Sequence, residues 1–152
     1  MRAHVRAAMT GVRACLALGG CGAGTGAPEP GATADLPVVT FPEEADDFPL
    51  AGVEGVLELR QGCLVLGGDV VFWPYGATWD QDAEAVVFSD APHFEDAASA
   101  QVGETFSGGG AYYQSPTDFR SWLGDEFADL IDGCRSATDI SDVVFAYPSP
   151  HG

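Results

Sequence analysis

The feature that most restricts the fold is a series of short apolar runs separated by glycine-containing turns. Gly52 to Arg60 carries Val53, Val56, Leu57 and Leu59. Gln61-Gly62 follows, then Cys63-Leu64-Val65-Leu66, then Gly67-Gly68-Asp69, then Val70-Val71-Phe72-Trp73, which Pro74 stops. Connections this short cannot carry a crossover, so the runs predict antiparallel hairpins, a meander of three strands. A fourth strand is expected at Ala85-Val86-Val87-Phe88. A fifth is expected around Glu104 to Phe106 and Ala111 to Tyr113, broken by a bulge or bend at Gly108-Gly109-Gly110. Val143 to Tyr147 reads as the last strand. The fold class is mainly β.

One helix interrupts this pattern. Ser115-Pro116-Thr117-Asp118 resembles a capping box with proline at the first helical position. Phe119, Trp122, Leu123, Phe127, Leu130 and Ile131 recur at helical spacing, and Gly133 is suited to the position just past the end. The spacing predicts one amphipathic core helix over 116–132, immediately before the last strand. A membrane-surface helix would need a basic polar face, and this one is acidic.

The N-terminus defines location. Arg2, Arg6 and Arg13 precede the apolar stretch Ala14 to Leu18, and Leu18-Gly19-Gly20-Cys21 resembles the lipobox of bacterial lipoproteins. On that reading residues 1–20 are a signal peptide and Cys21 carries lipid. Residues 21–48, rich in Gly and Pro and ending in the charge run Glu43 to Asp47, are a flexible tether, and 49–152 form a single globular domain. A tether of this kind spans about 30 Å on average. No stretch approaches the roughly 20 apolar residues of a spanning helix. Membrane attachment through the lipid alone, on the extracytoplasmic face, is the expectation.

The other two cysteines, Cys63 and Cys134, would be oxidised in an exported protein. A Cys63–Cys134 disulfide would close a loop of roughly 70 residues, worth about 4 kcal/mol in the chain-entropy view. Without a C-x-x-C pair or a histidine pair, a reactive dithiol or a zinc site is the weaker reading.

Charge excludes some functions. The chain has 23 acidic residues against six arginines, no lysine, and a formal charge of −17. With residues 1–20 removed, three arginines remain against all 23 acids, leaving −20. Nucleic-acid binding needs a basic footprint, which is missing.

Signatures of chemistry are weak. His93-Phe94-Glu95-Asp96 places an imidazole beside carboxylates, but no G-x-S-x-G elbow accompanies it. Asp80-x-Asp82-x-Glu84 starts like a calcium loop and then lacks the required glycine and final glutamate; period-two spacing would place the three acids on one face of an extended segment. No cofactor or metal is expected. Trp73, Tyr75 and Trp79 gather around the Pro74-Tyr75-Gly76 turn, where they either cap a core or form a binding surface. The reading is a non-catalytic envelope domain with a binding or structural role toward an envelope protein or small ligand. The alternative is a small extracytoplasmic hydrolase using carboxylates with His93.

The ordered series Gly62-Cys63-Leu64, Trp73-Pro74-x-Gly76, Trp79, Val102-Gly103-Glu104, Gly108-Gly109-Gly110 and Cys134 resembles small domains found in lipoproteins and exported proteins of high-GC Gram-positive bacteria. The resemblance covers about residues 52–147. It implies a small antiparallel β barrel or curled sheet, with an OB-like barrel as one form. The matched residues are turn, packing and cysteine positions, so the resemblance carries over no functional residue.

Overall fold

The computed structural model describes residues 37–149. Cys21, the signal at 1–20 and the first part of the tether lie outside the described residues. The elements are β1 (Ala51–Arg60), β2 (Cys63–Leu66), β3 (Asp69–Phe72), β4 (Thr78–Asp80), β5 (Ala85–Val87), β6 (Ala100–Gln101), β7 (Thr105–Tyr113), α1 (Phe119–Leu123), α2 (Asp125–Thr138) and β8 (Val143–Pro148). The fold is mainly β, in two sheets.

Five strands pair in a closed ring in the order β1-β2-β3-β8-β7, with β7 returning to β1. The meander β1-β2-β3 is as expected, with Leu57 opposite Leu66 and Val65 opposite Val70. The expectation of purely antiparallel pairing is corrected at one place: β3 and β8 are parallel, with Phe72 opposite Phe145. Parallel neighbours need a long crossover, and the whole stretch from β4 to α2 supplies it.

Alternation along the paired strands separates two faces. Leu57, Leu64, Leu66, Val71 and Val144 share the face that points into the ring, and all are buried. Phe72 and Phe145 sit on the opposite face, beneath the helices. There Phe72 meets Phe119 and Phe127 edge-on at 6.1 and 5.1 Å between centroids. Cys63 and Cys134 form the expected disulfide, with Cα atoms 5.6 Å apart. It pins α2 to the start of β2.

β7 does not break at its glycines. It runs through Gly108-Gly109-Gly110 without a bend, and none of the three has positive φ. The glycines serve close approach instead: a Cβ at Gly110 would lie 1.9 Å from the Phe145 carbonyl oxygen, and one at Gly108 would lie 2.2 Å from that of Tyr147. The space over Gly110 is filled by Val53.

The single helix over 116–132 is also corrected. Gly124, at φ +90°, divides it into α1 and α2, and Asp118 rather than Ser115 caps the first. The Asp118 carboxylate accepts hydrogen bonds from the Ser121 backbone N–H (3.1 Å) and hydroxyl (2.6 Å). Arg120 ties the two helices together through Asp125 and Asp129. Gly133 lies inside α2, which continues to an αL cap at Asp139. Phe119, Phe127 and Ile131 are buried as expected, whereas Trp122 is 50% exposed. The break at Gly124 shifts the phase of α1 relative to α2, so one helical face does not serve both.

The tether assignment does not hold for residues 37–48. Val39 is buried, its carbonyl accepts from the Trp73 N–H, and the Phe41 N–H donates to the Trp73 carbonyl, both at 2.9 Å. Phe41 packs edge-on against Phe145 at 4.9 Å, and Phe48 packs against Phe94 and Tyr147. Burial of these apolar side chains and the two main-chain hydrogen bonds to Trp73 hold the segment against the fold and offset part of the freedom it loses. The folded unit therefore includes residues 37–48, ahead of the expected start at 49.

Candidate functional site

A cleft of about 750 Å³ lies between the segment His93–Gln101 and the first part of β7. Pro148 and Ser149 complete its lining. The segment that forms one wall is a chain of tight turns. The Ala91 N–H donates to Phe88 O, Phe94 N–H to Ala91 O, and Ala97 N–H to Phe94 O, at 2.9 to 3.0 Å. Phe94 anchors the turns in the interior against Tyr147, at 5.4 Å between centroids. Beyond it, β6 pairs with β5 in the small sheet β4-β5-β6, and the Glu104 N–H donates to Gln101 O as the chain turns into β7.

The polar lining is acidic. Glu95, Asp96 and Glu104 face the cleft with Ser99, Gln101, Thr105 and Ser107, and no arginine lines it. Phe94 and Phe106 contribute buried apolar surface beneath. Phe106 in turn meets Trp73 edge-on at 5.3 Å.

Of the two readings of Trp73, Tyr75 and Trp79, the structure gives core capping for Trp73. Trp73 is fully buried, packed against Phe88 and Phe106, so it caps the ring core and is unavailable to a partner. Its indole N–H has no acceptor among the described residues. Trp79 is half-buried on β4, and Tyr75 is exposed. The turn between them requires Gly76, whose φ is +83° and whose Cβ would lie 2.1 Å from the Asp90 carbonyl oxygen.

Asp80, Asp82 and Glu84 do not share an extended face. Asp80 ends β4 and its carboxylate accepts from the N–H groups of Asp82 and Ala83 at 2.9 and 3.0 Å, closing a turn. A side chain that caps its own turn is committed locally. Among the described residues, one grouping has metal-ligand character: Glu44, Asp46 and His93 each bring one ligand atom within 4.8 Å of the others. All three are exposed. His93 reaches Asp46 at 3.9 Å while also lining the cleft.

Two further groups have shifted acidity. Asp69 is held above the usual carboxylate range by partial burial and by the nearby charge of Asp142. Burial pushes the Tyr113 hydroxyl upward, where its ring packs edge-on against Phe119 and at a tilt against Phe72 and Trp122. Both lie away from the residues that line the cleft and serve packing.

Ser99, Gln101 and Ser107 carry no distinguishing sequence signal, and Glu104 to Phe106 read in sequence only as strand and turn positions. They come together only because β6 and β7 flank one opening. Comparison with protein-family models, with curated proteins and with solved structures finds no match.

Proposed function

We propose that this chain is a non-catalytic binding domain of the cell envelope, tethered by lipid on Cys21 and holding a ligand in the cleft between His93–Gln101 and β7. The cleft carries the proposal. Its volume falls within the roughly 300–1,000 Å³ usual for ligand pockets. One of its walls, β7, belongs to the closed ring of strands, to which the Cys63–Cys134 bond fastens α2. The disulfide accords with an oxidising, extracytoplasmic compartment, and Leu18-Gly19-Gly20-Cys21 supplies the anchor. We further assign the ring to the OB-like barrels. The order β1-β2-β3-β8-β7 and the Greek-key return of β8 beside β3 support that assignment, with the small sheet inserted after β3 and the helices placed before the last strand.

The test combines location and binding. Wild-type cells should hold the protein in the membrane fraction with an acylated N-terminal cysteine by intact mass, and Cys21→Ser should release or mislocalise it. A library of envelope-type peptides and sugars, screened by amide chemical shifts, should give hits that converge on residues 93–107. A soluble, unmodified wild type refutes the tether. Hits that converge elsewhere refute the cleft.

A further inference from the structure

The cleft has two independent properties that together select a ligand class; the inference rests on the cleft being the binding site. The first is charge. Glu95, Asp96 and Glu104 line it, all three are exposed, and no arginine or lysine side chain offsets them. Elsewhere on the molecule some carboxylates are paired: Arg120 takes Asp125 and Asp129, Arg135 takes Asp132, and Arg60 takes Glu58. The cleft acids have no cationic partner among the described residues. The second property is backbone geometry. Among the described residues β6 pairs only with β5, and the pairing of β7 with β8 begins at Gly108. Among the described residues Thr105, Phe106 and Ser107 therefore pair with β1 alone. Two strand segments, each paired on one side, border the same opening. At β6 the Gln101 carbonyl already accepts from the Glu104 N–H and Ala100 is buried, so it is the edge of β7 at Thr105–Ser107 that can offer main-chain donors and acceptors to an extended chain.

We infer that the cleft receives an extended peptide segment bearing lysine or arginine side chains. The β7 edge at Thr105–Ser107 supplies main-chain hydrogen bonds that fix an extended backbone. The carboxylates accept charge-assisted hydrogen bonds from ammonium or guanidinium groups. A neutral sugar would leave the three carboxylates uncompensated, and an anionic ligand would be repelled by them.

The test uses the full-length oxidised protein and a blocked, lysine-containing pentapeptide, with the same peptide acetylated on its lysines as comparison. Binding is read by calorimetry and by amide shifts. The lysine peptide should perturb residues 93–107, and the triple variant Glu95→Gln, Asp96→Asn, Glu104→Gln should weaken it about tenfold or more. A charge-matched variant, Asp82→Asn, Glu126→Gln, Asp139→Asn, alters exposed acids outside the cleft lining. It should weaken binding less than about twofold, because screening limits distant charges. Equal weakening by both variants overturns the inference, since attraction would then be diffuse. Binding of the acetylated peptide in the cleft with undiminished affinity overturns the charge requirement while leaving the cleft a binding site. Failure of both peptides to perturb residues 93–107 overturns the inference as a whole. If the sugar hits of the wider screen then perturb those residues, the cleft reading survives without it.

Discussion

Gly110→Ala is the sharpest test of how the strand ring is built. The added Cβ would lie 1.9 Å from the Phe145 carbonyl oxygen and 2.7 Å from Val53 Cγ2. Ordinary contact begins at 3.4 Å, so β7 and β8 must separate by about 1.5 Å to accommodate it. A ladder hydrogen bond stretched by that amount no longer meets the geometric limits of a bond. Loss of two such bonds, at about 1 kcal/mol net each, adds to roughly 1–3 kcal/mol of overpacking against Val53. The expected cost is about 3–5 kcal/mol, a large share of the roughly 5–15 kcal/mol available to a domain. On this scale the melting temperature falls by about 10–20 °C. The measurement is a thermal melt followed by near-ultraviolet circular dichroism with the disulfide intact. Gly52→Ala is the control, because no atom lies within 4 Å of its Cβ position and its φ is not positive. It should change stability by less than about 1 kcal/mol. If Gly110→Ala melts with the wild type, the glycines are not there for close approach and the explanation of β7 is wrong.

Further outcomes follow from the helices and the disulfide. Replacing Cys63 and Cys134 together with alanine should lower stability by about 2–5 kcal/mol, measured by urea unfolding against the oxidised wild type; an unchanged midpoint would show that the bridge constrains nothing. Phe127→Ala, at a buried site against Phe72, should cost about 3–5 kcal/mol, whereas half-exposed Trp122→Ala should cost about 1–2 kcal/mol. Equal losses would contradict the break at Gly124. The Ser121 hydroxyl and N–H hold the Asp118 carboxyl below its ordinary range. Its stabilising effect is thus present above the unfolded-state value and disappears as pH falls through the lowered folded-state value. Asp118→Asn should flatten that part of the acid limb in a pH series of melts, and an unchanged slope would refute the cap.

The meander was legible because β1, β2 and β3 are each rich in valine or leucine and separated by turn residues, Gln61-Gly62 and Gly67-Gly68. The disulfide was legible from number and context, since only two cysteines remained once Cys21 was assigned to lipid. Gly108 to Gly110 misled because a glycine's neighbours set its meaning. The carbonyls of Phe145 and Tyr147 come from a strand some 35 residues further on, and no local pattern announces them. Residues 37–48 misled for a related reason. Their prolines and acids have linker composition, while Val39, Phe41 and Phe48 supply the apolar groups that dock them. The helix was legible in its buried residues and misjudged in its phase, because Gly124 was read as part of a continuous period. The cleft was illegible. In a chain with 23 acids no particular carboxylate stands out, and the approach of β6 to β7 is a product of tertiary folding.

The central claim is that the cleft between His93–Gln101 and β7 engages a ligand at the cell envelope, and crosslinking in living cells tests it most directly. A photoreactive residue placed at Ser99, exposed on the cleft wall, is compared with one at Asp82, exposed on the turn after β4. Both variants are irradiated in intact cells and recovered from the membrane fraction. A discrete light-dependent adduct from Ser99, with none from Asp82, is the predicted result. No adduct from Ser99, or the same adduct from both positions, would contradict the assignment of the cleft as the binding site.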